Sequence, residues 1–212
     1  MFKQIYLIRH ADQYRQKEAV NINENEQITN EKIILSIKGE KQAEEMSKLE
    51  ELKHIQEVWS SNYVRAISTA KYIAYENNID IKIDSNLNER KLGNKNELKD
   101  MSNNFKYMYT TEQILNKDLK SSDGENSLEA QSRFKNCFNK IIANNSNNKI
   151  AIVSHGAIIK FFLLTFTSFN LDEKVFKWNN KIIAKEKLNS PEIIKLILNK
   201  NNEIVDVFNI SY

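Results

Sequence analysis

The sequence predicts an α/β fold: a doubly wound, mostly parallel sheet with at least one antiparallel strand, flanked by helices. Three observations predict it. Two short apolar runs, Ile5-Tyr6-Leu7-Ile8 and Ile150-Ala151-Ile152-Val153, are rich in β-branched residues and read as strands buried on both faces. Amphipathic helical stretches alternate with such runs along the chain. Three strand-like runs then crowd the tail, too close together for helical crossovers, so at least one pairs antiparallel.

The first strand is read over residues 4–9. A polar stretch from Asp12 to Asn30 follows and is too irregular to assign. Between Lys38 and Lys53, Ala43, Met46, Leu49 and Leu52 recur every three residues, which makes one helical face apolar, with Ser36 as its cap. Glu57-Val58-Trp59-Ser60 is the second strand, and Val64–Asn77 the next helix. Residues 79–84 alternate Ile with charge, as an edge strand does. Residues 90–126 break the rhythm and read as a helical excursion covering the pocket. Phe134, Cys137, Phe138, Ile141 and Ile142 mark another amphipathic helix beginning at Ser127. The Asn-rich patch 144–148 is a loop before strand 149–154. Residues 157–166 are a buried core helix. The tail strands are read at 182–188, 192–198 and 203–210, with turns near Asn189-Ser190-Pro191 and Asn199–Asn202.

A chain of 212 residues is long enough for a full core, and the expectation is one domain over 1–212. With 41% hydrophobic and 28% charged residues it reads as globular. A net charge of +3, from 31 basic and 28 acidic side chains, is too small to argue for nucleic acid or an anionic membrane. The single cysteine, Cys137, allows no internal disulfide and sits at a core helical position. The opening MFKQIYLIRHAD meets a charge too early for a signal peptide, and no run approaches the roughly 18 apolar residues of a membrane span. The expectation is a cytoplasmic protein with no membrane or nucleic-acid partner; the oligomeric state is not encoded legibly.

Two of the three histidines close strand-like runs 145 positions apart (155 − 10): Arg9-His10 and Ser154-His155-Gly156. Ligands of open α/β sheets bind beyond the carboxyl ends of the strands. Arg65 lies in the first turn of the helix after the second strand, where a phosphate meets both a guanidinium and helix N–H groups. Glu89 follows the third strand. Four strand ends thus offer His10 with Arg9, Arg65, Glu89 and His155. Read singly, a buried histidine is more often structural; together, with arginines in register, these suit attack on a phosphoryl group. His54 near Lys53 is explained by a helix-end dipole, Tyr14 and Arg15 by solvent, and Gly124-Glu125-Asn126-Ser127 by a helix start capped at Asn126 or Ser127. Ligation of a metal by His10, His155 and Glu89 is considered and rejected, because the arginines repel a cation.

RHADQYRQ, LSIKGEKQA, SSNYVRAISTA, LNERKLG, GENSLEAQSR and VSHG, in that order, resemble the histidine phosphatase superfamily, the phosphoglycerate mutase-like group in its larger, mostly cytoplasmic branch, over roughly residues 4–160. The resemblance implies that His10 takes the phosphoryl group and that Arg9, Arg65 and His155 hold its oxygens. It implies that Glu89 protonates the leaving oxygen and then deprotonates the attacking water. Nearby cations favour the ionised carboxylate, so a bound phosphate dianion or burial must favour its protonated form for that role. Gln16 stands where many members have a phosphate-binding Asn. Ala11 replaces the usual glycine, Asp12 stands where Glu is common, and the Trp-Glu-Gly stretch that often follows the Leu-x-Glu motif is missing. No cofactor is implied. The expected substrate is a small-molecule phosphomonoester, a phosphoprotein not being excluded. The leading reading is metal-independent hydrolysis through phosphohistidine. A mutase is the nearest alternative, disfavoured because only 65 positions (154 − 89) separate Glu89 from the second histidine motif. A silent binding module on the same fold is the alternative from another class.

Overall fold

The computed structural model describes residues 2–15, 26–94, 97, 109–143 and 146–211. A six-stranded sheet runs β3-β2-β4-β1-β8-β9. Its parallel part comprises β1 (Lys3–Arg9), β2 (Glu57–Ser60), β3 (Ile81–Ile83) and β4 (Lys149–Ser154). The antiparallel part is β8 (Glu192–Leu198), paired with β1, and β9 (Ile204–Ile210), paired with β8. β3 lies at the edge, as its alternating charge predicts.

Side chains alternate across a strand, so one strand feeds two cores. Ile5, Leu7, Ile150 and Ile152 join α5 (Ser127–Ala143) and α6 (Gly156–Leu163) on one face. Tyr6, Ile8, Ala151, Val153 and Val58 face the other way, onto α2 (Ile37–Ser47) and α3 (Val64–Asn77). That two-sided burial is why both runs are apolar without alternation.

The helix ends follow local chemistry. The Ser36 side chain accepts from Gly39 N at 3.0 Å and caps α2. Asn126 Oδ1 accepts from Glu129 N at 2.8 Å while Glu129 accepts from Asn126 N at 3.0 Å, a reciprocal cap that starts α5. Asn78, at φ 52°, ends α3 in the left-handed region. Cys137 is buried in the core, and burial pushes its thiol up to about 12.

Several elements differ from expectation. The helix read over 38–53 stops at Ser47: Leu49 turns extended, and Glu50–Leu52 re-enters as a 3₁₀ turn that still buries Leu52. The every-third spacing also fits a 3₁₀ turn, so it could not locate the break. His54 is exposed at φ 59° after that short turn, not at the end of an α-helix. The core helix ends at Leu163 rather than 166. Glu26–Lys32 forms α1 within the stretch that resisted assignment. The strand read at 182–188 is β7 (Lys181–Lys185), and it belongs to a separate antiparallel sheet with β5 (Ser168–Asn170) and β6 (Val175–Trp178). Of the 90–126 excursion, 95–96 and 98–108 lie outside the described residues; Tyr109–Leu115 forms α4.

Candidate active site

β1 and β4 are adjacent, parallel and in register, with Arg9 opposite Ser154. The residues after them, His10 and His155, therefore emerge side by side at the carboxyl edge. Their ring centroids are 5.1 Å apart and both rings are buried. His10 N donates to Ser154 O at 3.0 Å, and Ser190 Oγ donates to His10 O at 2.7 Å, which fixes the backbone on both sides of the imidazole.

Hydrogen bonds determine which nitrogen faces the pocket. His10 Nδ1 lies 2.7 Å from Ala11 O, an acceptor only, so Nδ1 carries the proton. Nε2 is left with a lone pair, toward which Arg65 Nε donates at 3.1 Å. Ser61 Oγ accepts from Tyr63 N at 3.3 Å and lies 2.7 Å from His155 Nε2, with which it shares one proton. His155 Nδ1 is the other ring nitrogen. It is buried and without a partner among the described residues, as is Arg9 Nε. Desolvation, with Arg65 and Arg9 nearby, pushes both imidazoles well below the usual histidine value, so both are neutral.

The cations are held by backbone carbonyls. Arg65 Nη1 donates to Asn30 O, and its guanidinium lies 4.8 Å from the Tyr63 ring centroid. Burial lowers Arg65 to about 10 and lowers Arg9 as well. Arg9 Nη1 donates to Leu188 O and Asn189 O in the turn before β8. Gly156 leaves room for this side chain: a Cβ there would stand 3.2 Å from Arg9 Nε.

Glu89 follows β3 and reaches the N-terminal end of α6. One carboxylate oxygen accepts from Ala157 N at 3.1 Å, the other from Ile158 N at 3.0 Å and Arg90 N at 3.0 Å. The Ala157 and Ile158 N–H groups belong to the first turn of α6, lack intrahelical partners, and lie at the positive end of the helix. Arg90 turns away to Gln113 and Thr110. The loop carrying Glu89 is itself tied down. Ser154 Oγ donates to Leu87 O at 2.7 Å, and Arg133 donates to Asn86 O and Asn88 O while gripping Glu125 through both arms.

The fold thus brings Arg9, His10, Arg65, Glu89 and His155 together. Gln16 lies outside the described residues. The sequence does not single out Ser61 or Arg133. Ser61 and Arg133 stand inside quoted motifs, but their partners lie 94 and 45 positions away, beyond the reach of local patterns. Asp12 and Glu125 are occupied elsewhere, by Ser36 Oγ at 2.8 Å and by Arg133 at 2.7 Å. Among the described residues no group of three or more His, Cys, Asp or Glu side chains forms a metal-binding cluster, and no helix is long and apolar enough to cross a membrane.

Comparison with known proteins decides the family. The model of the histidine phosphatase superfamily (branch 1) matches residues 5–184. The chain belongs to the histidine phosphatase superfamily. Membership makes it an enzyme of phosphatase type. No curated protein matched by sequence. Solved structures share the fold of this histidine phosphatase at low identity. A mycobacterial glucosyl-3-phosphoglycerate phosphatase with VO3 is 13% identical, with a TM-score of 0.66 over 99% of this chain and 98% of the other. Bacillus stearothermophilus YhfR is 18% identical, with a TM-score of 0.67 over 98% of each chain. A phosphoserine phosphatase mutant from Entamoeba histolytica, in complex with phosphoserine, is 18% identical, with a TM-score of 0.61 over 96% of this chain and 95% of the other.

Proposed function

We propose that this histidine phosphatase hydrolyses a small phosphomonoester, without a metal ion, through a phosphohistidine at His10. One observation carries the reading: the unprotonated Nε2 of a buried, neutral His10 faces Arg65 Nε at 3.1 Å, with the His155 ring 5.1 Å away and the charge of Arg9 nearby. Phosphoryl transfer depends mainly on positioning and on stabilising charge at the equatorial oxygens. In the free protein Arg65 Nε points at the His10 lone pair. An arriving phosphoryl oxygen draws the guanidinium off that lone pair, frees Nε2 for in-line attack and takes over the hydrogen bond.

His10 Nε2 forms the P–N bond as the P–O ester bond breaks, and Glu89 gives a proton to the departing oxygen. Water then attacks phosphorus with Glu89 as base, the P–N bond breaks, and inorganic phosphate leaves with His10 restored. His155 Nδ1 and Arg9 Nε are each buried without a partner among the described residues, which suits them to phosphate oxygens. Gln16 is a further phosphate donor in this proposal. The whole chain acts as one domain, in the cytoplasm.

The test is phosphate release from a panel of phosphomonoesters in chelator-treated buffer, with His10→Ala as blank. Release from at least one ester, abolished in the variant, supports the reading. An enzyme inert toward every ester until one particular metal is added contradicts it.

A further inference from the structure

β8 runs antiparallel to β1, with Glu192 opposite Arg9. The first residue of β8 therefore stands at the carboxyl edge of β1, and the turn leading into it reaches the two residues that begin the site. Arg9 Nη1 donates to Leu188 O and Asn189 O. Ser190 Oγ donates to His10 O at 2.7 Å.

A turn holds a guanidinium only as firmly as it is held itself. Leu188 is anchored in the core. Beyond it, the carboxylate of Glu192 closes the turn. One oxygen accepts from Asn189 N, inside the turn, and the other from Asn209 Nδ2 at 2.8 Å, on β9. Asn209 Nδ2 also donates to Ile183 O at 3.0 Å, on β7. Asn189 is thus gripped twice: its N–H goes to Glu192 and its C=O receives Arg9. Glu192 is only 7% exposed. A buried carboxylate is costly unless it is hydrogen-bonded, and bonds to an ionised acceptor are stronger than neutral ones. Its charge also reaches Arg9. Burial lowers the Arg9 pKa, whereas Glu89 and then Glu192 favour the charged guanidinium.

Resting on the hydrolase reading above, we propose that Glu192 is a positioning residue for phosphoryl transfer that acts through Arg9. Its two hydrogen bonds fix the carbonyls that hold one arm of the guanidinium, and the buried Nε is left for a phosphoryl oxygen. Glu192 takes no part in the bonds made or broken. Glutamine in its place keeps the shape but sets an N–H₂ group against one of the two donors, and it removes a charge that favours the Arg9 cation. The turn then shifts, and Arg9 shifts with it. Misplacing a positioning group by about 1 Å costs on the order of 10²-fold.

The experiment is a double-mutant cycle of Glu192→Gln with Arg9→Met, at a temperature where each variant is folded. It reads kcat/KM for p-nitrophenyl phosphate and calorimetric affinity for orthovanadate. Glu192→Gln lowers kcat/KM by about 10- to 100-fold, mainly through kcat, and vanadate affinity falls by a similar factor. In the Arg9→Met background the same substitution changes vanadate affinity by no more than about 2-fold, the scatter of independent sites. A residue that only supported the fold would lower Tm and leave both readouts unchanged per folded molecule. Wild-type values in Glu192→Gln overturn the role of Glu192, as does an equal loss with and without Arg9. Asn209→Ala, which removes one of the two donors, carries the cycle if Glu192→Gln fails to fold. A smaller loss that disappears with Arg9→Met is then expected, and no loss counts against the role. A wild-type enzyme that binds vanadate but releases phosphate from no ester of the panel above overturns the hydrolase reading alone, and the vanadate cycle still decides on Glu192. One that neither binds vanadate nor turns over any ester overturns both.

Discussion

Replacing Glu89 by glutamine separates the contacts this carboxylate makes in the structure from the acid–base role proposed for it. The first is structural. Both oxygens accept, one from Ala157 N at 3.1 Å and the other from Ile158 N at 3.0 Å and Arg90 N at 3.0 Å. Glutamine keeps one acceptor. With its oxygen toward Ile158 and Arg90, its amide N–H₂ confronts the Ala157 N–H donor. One buried donor left without an acceptor costs about 1–3 kcal/mol. For a chain of this size each kcal/mol lowers Tm by about 2–4 °C, so a drop of several degrees is expected. The second is chemical. General acid–base catalysis is worth about 10²–10⁴-fold, or about 2.7–5.4 kcal/mol at 1.36 kcal/mol per decade. Glu89→Gln should therefore lower kcat far more than it raises KM. The loss should be greatest for alkyl phosphates and shrink for aryl phosphates, whose leaving groups need less protonation. The assay is steady-state kcat across esters of graded leaving-group pKa, with an adduct burst to show whether dephosphorylation limits the rate. Equal loss across all leaving groups, with no burst, would mean that Glu89 acts only as the cap of α6.

Three further outcomes follow from the same contacts. Activity should persist after exhaustive chelation, because fixed cations occupy the place of a metal's charge; loss with rescue by one particular metal would refute this. Stability should fall as pH drops from 7 to 5.5. Both buried imidazoles stay neutral when folded, whereas the unfolded chain takes up protons near pH 6.5, so each contributes up to about 1.4 kcal/mol of destabilisation per pH unit below that point; urea midpoints that do not move over this range, or a slope unchanged in His155→Gln, would contradict it. Gly39→Ala should destabilise by on the order of 1–3 kcal/mol and lower activity, because the new Cβ would stand 1.9 Å from Asp12 O, two residues beyond His10; an unchanged Tm and kcat would show that this loop yields freely.

The residues whose placement follows from chain-local patterns were legible. β1 and β4 are read from apolar runs without alternation, and their shared register is what places His10 beside His155. Arg65 and Glu89 follow from strand ends for the same reason. Ser61 and Arg133 were not legible, since each acts through a partner that only the fold brings near. β5 and β6 were missed because they are short and mixed in character. The signal existed: Asn179 and Asn180, both at positive φ (46° and 65°), join two short runs as a tight hairpin turn does. The every-third apolar spacing between Ala43 and Leu52 hid a helix break, because the segment buries Ala43 and Met46 before it and Leu52 after it. The tail turn at 189–191 was read as punctuation, yet its neighbours hold Arg9 and the His10 carbonyl.

The central claim is that His10 Nε2 takes the phosphoryl group. Rapid quench of the enzyme with a labelled phosphomonoester tests it directly. The account predicts a transient adduct on His10, labile to acid and stable to base, that forms and decays fast enough to lie on the path to phosphate and is absent from His10→Ala. A label on any other residue, or wild-type turnover by His10→Ala, would contradict it.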